Sequence, residues 1–337
     1  MKKSFSSICT AVFISFIMVF TISATTQAKT WKMALGDAGG SPQEETGKKF
    51  AEIVEQKSNG KIKMSLFLNG QLGSEQDTVN DAAMGTLDFS VLAINNITPF
   101  SPTVGVLSLP YVIQSLDEAA AITQGDIGKE LTENTIRDAG VRILAWTYTG
   151  FRVLTNSKKP IATLEDLQGV VVRVPKNEIM ISTYKAWGIN PTPMAWSETF
   201  TALQQKVVDG QDNPYATVNA MQFFEVQKYI TPIRYLFSLE PLIVSEQLFQ
   251  SQSKEMQQLL LDAGKEATLH SQKFLAESEE AIIKRLVEEK GMIITQPADD
   301  EKEWIEKATA AVWPKYYDSI GGKEKLETLL KSLGRTM

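Results

Sequence analysis

Residues 253–290 offer little but helix formers, with apolar side chains at Met256, Leu259, Leu260, Ala263, Ala267, Phe274, Ile282, Ile283 and Leu286, and Gly291 closing the run. At 1.5 Å per residue, a helix over this stretch spans about 57 Å. That is unusual inside one globular domain, and it suits a rod laid along two. The preceding sequence supplies the layers to cover it. Residues 30–35 read as a strand, and Ser41-Pro42-Gln43-Glu44 as a capping box whose helix carries Phe50, Ile53 and Val54 on one face. Asn59-Gly60 ends that helix, and 61–68 alternates as a strand. Residues 77–84 then read as a helix and 87–93 as a short buried strand. Strand–helix–strand repetition of this kind predicts α/β layers with a mostly parallel sheet. A second block starts near Gly150. There Thr163-Leu164-Glu165-Asp166 caps a short helix, residues 176–187 form another, 190–194 are extended, and Ser197 caps 198–205.

Residues 1–28 read as a secretory signal. Lys2 and Lys3 precede an apolar stretch broken by Thr10, Ser15 and Thr21, and Ala28 marks the expected cleavage point. That predicts a periplasmic protein of 309 residues, a length that suits two domains. The only cysteine, Cys9, would leave with the signal, so neither disulfide nor thiol chemistry is expected. Loss of the two lysines takes the net charge from −6 to −8. An acidic chain of this kind argues against nucleic acid or anionic membrane as a partner. An anionic ligand would therefore have to be drawn by a local basic site.

Such a site is visible between Gly150 and Pro214. Arg173 lies in Val170-Val171-Val172-Arg173-Val174-Pro175, an apolar run that reads as a buried strand. A guanidinium there is costly unless it meets an anion. Where no protein acid does so, a ligand carboxylate fits its planar fork. Arg152 follows Gly150 at an expected strand start, where pairing with a neighbouring acid is the simpler reading. Asn213 stands in an Asp-Gly-Gln-Asp-Asn-Pro turn. Glu75 could accept from ligand hydroxyls or an amine, although an acid near a helix start is ordinary. Asn177 and Glu240 are weaker loop candidates. Asn95 and Asn96 follow a strand at the end where α/β proteins bind ligands. Trp187 and Trp196 read as core.

The same residues carry a resemblance. Gly150-x-Arg152, the LEDLQGVVVRVP stretch at 164–175, Pro191-Thr192-Pro193 and Asp209–Pro214 resemble the solute-binding proteins of tripartite ATP-independent periplasmic (TRAP) transporters, the DctP type. Gln71-Leu72-Gly73-Ser74-Glu75, Gly85-x-Leu87-Asp88 and Leu109-Pro110-Tyr111 extend the match over nearly the whole chain after the signal. The resemblance implies an α/β two-lobed fold of the periplasmic-binding type, with mixed sheets and a long helix spanning both lobes. It implies one lobe from 29–149 plus 239–278 and a second from 150–238 plus 279–337. By the same resemblance Arg173 clamps a ligand carboxylate, while Arg152 and Asn213 assist. Tyr235 stands where many relatives have histidine.

Nothing in the sequence assembles a catalytic or metal site. His270 is the only histidine and lies in the long helix, and no Cys/His spacing or phosphate loop is present. The reading is a monomeric receptor with no cofactor, passing a small organic acid to TRAP integral-membrane subunits. A sugar acid such as a hexuronate, aldonate or sialic acid suits the polar neighbours. A C4-dicarboxylate receptor is the alternative within the class. Outside it stand a secreted enzyme acting on carboxylated sugars, and a receptor for an ATP-driven importer or a signalling module.

Overall fold

The computed structural model describes residues 29–337, so the expected signal segment lies outside the described residues. β1 (Lys29–Leu35), α1 (Pro42–Lys57), β2 (Ile62–Phe67), α2 (Glu75–Ala83) and β3 (Phe89–Val91) form the first strand–helix–strand run. Tight turns at Ile94–Asn96 and Pro102–Ser108 lead to α3 (Leu116–Gln124) and α4 (Asp126–Ala139). Next come β4 (Val141–Asn156), β5 (Val172–Val174), α5 (Glu178–Ala186), β6 (Thr192–Pro193), α6 (Thr199–Gln204), β7 (Gly210–Pro214) and α7 (Tyr215–Ala220). After β8 (Tyr229–Thr231), β9 (Phe237–Ser245) and α8 (Glu246–Gln250) comes the long helix α9 (Lys254–Lys284). β10 (Ile293–Ile294), α10 (Lys302–Tyr316) and α11 (Lys323–Ser332) complete the chain.

Local chemistry sets the helix starts. Ser41 caps α1 by accepting from the Glu44 N–H, with Pro42 at the first helical position. The Glu44 carboxylate reaches the Gly40 N–H at 2.7 Å, so only half of the expected capping box forms. Ser74 and Asp77 make a full box, and α2 therefore starts two residues before the expected 77. Ser197 does not cap α6. It sits inside a 3-10 turn, Trp196–Glu198, and α6 begins without a side-chain cap. Ser253 caps α9, whose 31 α-helical residues run into a π turn at Arg285–Glu289.

The strands make two mixed sheets joined through β4. In the first, β1 pairs in parallel with β2 and β3, and β9 lies antiparallel between β3 and β4. In the second, β4 pairs antiparallel with β7 and β8, β5 lies parallel between β7 and β6, and β10 extends β8 in parallel. Gly150 was expected to open the second block. Instead β4 runs through it unbroken, with a register slip between Tyr148 and Gly150 and a Gly150 φ of 93°. A glycine tolerates that bulge where other residues would be strained.

α9 lies against β4 on the first sheet. Its Thr268 and Ser271 hydroxyls accept from the Trp146 and Tyr148 backbone N–H groups at 2.9 and 3.0 Å. These helix side chains satisfy amides that an edge strand would otherwise leave unpaired. Trp31, Met33, Phe50, Phe89, Leu260 and Ala263 fill the core between α1, α9 and the first sheet. In the second lobe, Trp187, Tyr235 and Leu154 pack with Trp304 of α10. The C-terminal end departs from the expected division, which gave 279–337 to the second lobe. Leu326, Leu329 and Leu330 of α11 pack with Val104 and Leu131 of the first, Lys325 pairs with Glu130, and Arg335 reaches Glu118. Among the described residues, no helix is long and apolar enough to cross a membrane.

Candidate functional site

The ends of β1, β3, β5 and β7 and a mid-strand stretch of β9 surround a small cavity between the two lobes, of about 20 Å³. Arg173, Arg152, Asn213, Glu75 and Glu240 all line it, as do Asn95 and Asn96. Of the six residues singled out from the sequence, Asn177 alone is not on its wall.

Arg173 stands in β5 at 2% exposure. Its Nε and Nη2 donate to the Met194 carbonyl at 3.2 and 2.8 Å, and no protein carboxylate lies at ion-pair distance among the described residues. Burial, and then the charge of Arg152, pull its pKa down to about 10. Against that cost stand one carbonyl, the Trp196 ring 5.5 Å from the guanidinium carbon, and the more distant charges of Asp212 and Glu75.

Arg152 is differently placed. It is interior to β4 rather than at a strand start, and its Nε donates to Asp212 Oδ2 at 2.8 Å while Nη2 meets the Asp212 carbonyl. Burial, the largest influence, lowers its pKa, but Asp212 with Tyr235 and Tyr184 together outweigh it and the net shift is upward. The Tyr235 hydroxyl also donates to Asp212 Oδ2. Tyr235 thus supports the Arg152–Asp212 pair from behind rather than facing the cavity. Asn213 donates to Gln211 Oε1 at 2.6 Å. Asn177 caps α5 by accepting from the Met180 N–H, and its amide donates to the Asn95 carbonyl at 3.0 Å, linking the two lobes.

The acidic side of the cavity belongs to the first lobe. Glu75 accepts from the Ala93 N–H at 3.2 Å, from Gln43 at 3.4 Å and from Asn96. Burial, and then the charge of Glu240, push its pKa up to about 8. Glu240 has weak contacts from the Thr149 and Ser238 hydroxyls at 3.5 Å, and its Oε2 has no partner of good geometry. Burial raises its pKa as well. Asn95 Nδ2 and Trp196 Nε1 are likewise buried without a partner. Donors and acceptors left open around one cavity are what a polyhydroxylated ligand would satisfy.

Four participants were not singled out from the sequence. Asp37, just past β1, lines the cavity at 2% exposure, and burial and then Glu240 hold its pKa well above the carboxylate range. Gln43 ties Asp37 to Glu75 by accepting from the Asp37 N–H at 3.0 Å. Asp212 was quoted only as part of a motif. The signal for Asp37 was its place after the first strand, where open α/β sheets bind ligands. Trp196 was read as core and instead faces the cavity, while Trp187 is core, with its indole N–H donating to the Trp304 carbonyl. His270 lies 3.9 Å from Glu45 on the outer face and is not part of the cavity wall.

Residues 35–319 match the family described as bacterial extracellular solute-binding protein, family 7. The 2,3-diketo-L-gulonate-binding periplasmic protein of Escherichia coli K12 is 28% identical over 289 residues, or 86% of this chain and 88% of that protein. The sugar acid binding protein of Advenella mimigardefordensis, in complex with galactonate, matches in fold with a TM-score of 0.86 at 29% identity, over 91% of this chain and 98% of that one. A TRAP periplasmic solute-binding protein of Rhodobacter sphaeroides, apo and open, is 39% identical yet scores 0.74, over 91% of this chain and 99% of that one. These relatives are binding proteins, not enzymes.

Proposed function

This chain belongs to bacterial extracellular solute-binding protein family 7, whose members serve TRAP transporters, and we propose that its interlobe cavity takes a sugar acid by the carboxylate. The observation that carries this is Arg173, a buried guanidinium with no protein carboxylate beside it. A ligand carboxylate supplies the missing anion, with Asn213 and the Arg152 edge of the cavity helping to orient it. The open polar atoms of Glu240, Asn95 and Trp196 then take ligand hydroxyls. Relatives that bind galactonate and 2,3-diketo-L-gulonate support this class of ligand.

A C4-dicarboxylate is the second reading. It would need a second unpaired cation, and Arg152 is already committed to Asp212. One free guanidinium favours one carboxylate. In the cell, cleavage near Ala28 would release the receptor to the periplasm. Its closed form would then pass ligand to the integral-membrane subunits, with the chain crossing between lobes near residues 150, 238 and 278 and α11 returning to the first lobe.

Thermal melting of ligand-freed protein against galactonate, glucuronate and succinate tests the reading. Ligand at 100 times its Kd should stabilise by about 2.7 kcal/mol. Micromolar binding supplies only about 8 kcal/mol, and a desolvated arginine–carboxylate pair is worth ~2–5 kcal/mol. Arg173→Ala should therefore weaken binding at least ~10-fold by calorimetry while the protein stays folded. Unchanged affinity would remove Arg173 from the clamp.

A further inference from the structure

Three carboxyl groups face the cavity from the first lobe: Asp37 after β1, Glu75 at the start of α2 and Glu240 in β9. None is more than 8% exposed. The groups opposite them do not balance their charge. From β4 comes Arg152, already paired with Asp212 of β7. From β5 comes Arg173, and from α1 only the neutral Gln43. The Thr217 hydroxyl of α7 approaches Asp37 at 3.5 Å, and the Tyr235 phenol stands behind Asp212. No lysine or histidine lines the wall.

One free guanidinium thus stands against three carboxyl groups before any ligand arrives. A ligand carboxylate that pairs with Arg173 uses that cation up. Three ionised, unpaired carboxylates would then remain in a closed cavity, each costing several kcal/mol. The Glu240 oxygen without a partner shows that hydrogen bonds do not remove the problem. Nor does a shared cation, since no three described His, Cys, Asp or Glu side chains are placed to hold a metal. A proton is the remaining neutralising species. On a carboxyl group it also creates a hydroxyl donor beside a carbonyl acceptor, which suits a ligand hydroxyl.

Resting on the receptor reading above, we propose that Asp37, Glu75 and Glu240 form a proton-holding subsite that takes up about one proton when the ligand carboxylate binds, one positive charge for the negative charge brought in. The raised pKa of Glu75, about 8 by burial and then by Glu240, fits this geometry. In an open, hydrated cleft a glutamate returns toward ~4.3. Closure then takes up the proton between those two values. Affinity rises as pH falls from ~8 toward ~5, by up to ~10-fold per pH unit for one proton.

Calorimetry of the mature protein with the tightest binder among galactonate, glucuronate and succinate tests this at pH 7.5. The buffers would be phosphate and Tris, whose ionisation heats differ widely. The expected slope of heat against buffer ionisation enthalpy corresponds to uptake of about one proton. Glu75→Gln and Glu240→Gln mimic the protonated acid, and each should lower the uptake and flatten the affinity–pH curve, with a cooperative melt reporting the fold. Binding with the same heat in both buffers and a level pH profile overturns the subsite and leaves the receptor reading intact. Absence of binding by all three acids overturns the receptor reading, and the subsite falls with it.

Discussion

At the scale of single residues, two buried arginines of one cavity differ in what they lack. Arg152 is complete with Asp212, whereas Arg173 has only a carbonyl and an aromatic face. Asp212→Asn should therefore cost about 3–5 kcal/mol in urea unfolding, since it strands Arg152 in the interior. Replacing both partners, Arg152→Met with Asp212→Leu, should recover much of that loss. Equal losses in the single and double variants would show that the pair does not act as a unit. Arg173 was legible from sequence because a lone charge in an apolar strand is a local anomaly. The Asp212 partnership was not, because it joins residues 60 apart through strand pairing. Asp37 was missed for a similar reason, since it gains meaning only when Glu75 and Glu240 are folded beside it. Trp196 looked like core because composition cannot tell which face of a turn meets a cleft.

At the scale of elements, the long helix, the first three strands and the cap at Ser41 were readable, because each rests on periodicity or on a few adjacent residues. The unbroken course of β4 was not. A glycine inside a strand pattern reads as a boundary, and only the pairing of residues 141–151 with β9 shows that the strand continues. α9 depends on close approach to that strand. A Cβ at Gly264 would collide with the Leu144 carbonyl oxygen, which is backbone and cannot swing aside. Helix propensity alone would favour alanine there by about 1 kcal/mol. Steric conflict should win, so Gly264→Ala is expected to destabilise by ~1–3 kcal/mol or more in urea unfolding. A neutral or stabilising outcome would mean that α9 shifts away from β4 at little cost.

At the scale of the whole molecule, polar contacts join the lobes around the cavity: Asn177 on Asn95, Gln76 on the Lys176 carbonyl at 3.3 Å and Thr217 near Asp37. A ligand seated among these groups adds contacts to both lobes, and so can shift the balance between open and closed forms. Small-angle scattering should show a radius of gyration for ligand-freed protein that falls when a binding acid is added. An unchanged radius would rule out lobe closure as the response. The two-lobed architecture was readable through family resemblance, whereas the docking of α11 on the first lobe was not, because its partners lie some 200 residues earlier. β4 serves both sheets, and β9 and α9 run beside it through the crossing. Neither half is therefore a continuous length of gene. A recombination event that exchanged one lobe for another's would have to splice several segments at once. Such receptors should consequently diversify their ligands by point substitution on the cavity wall, rather than by trading halves.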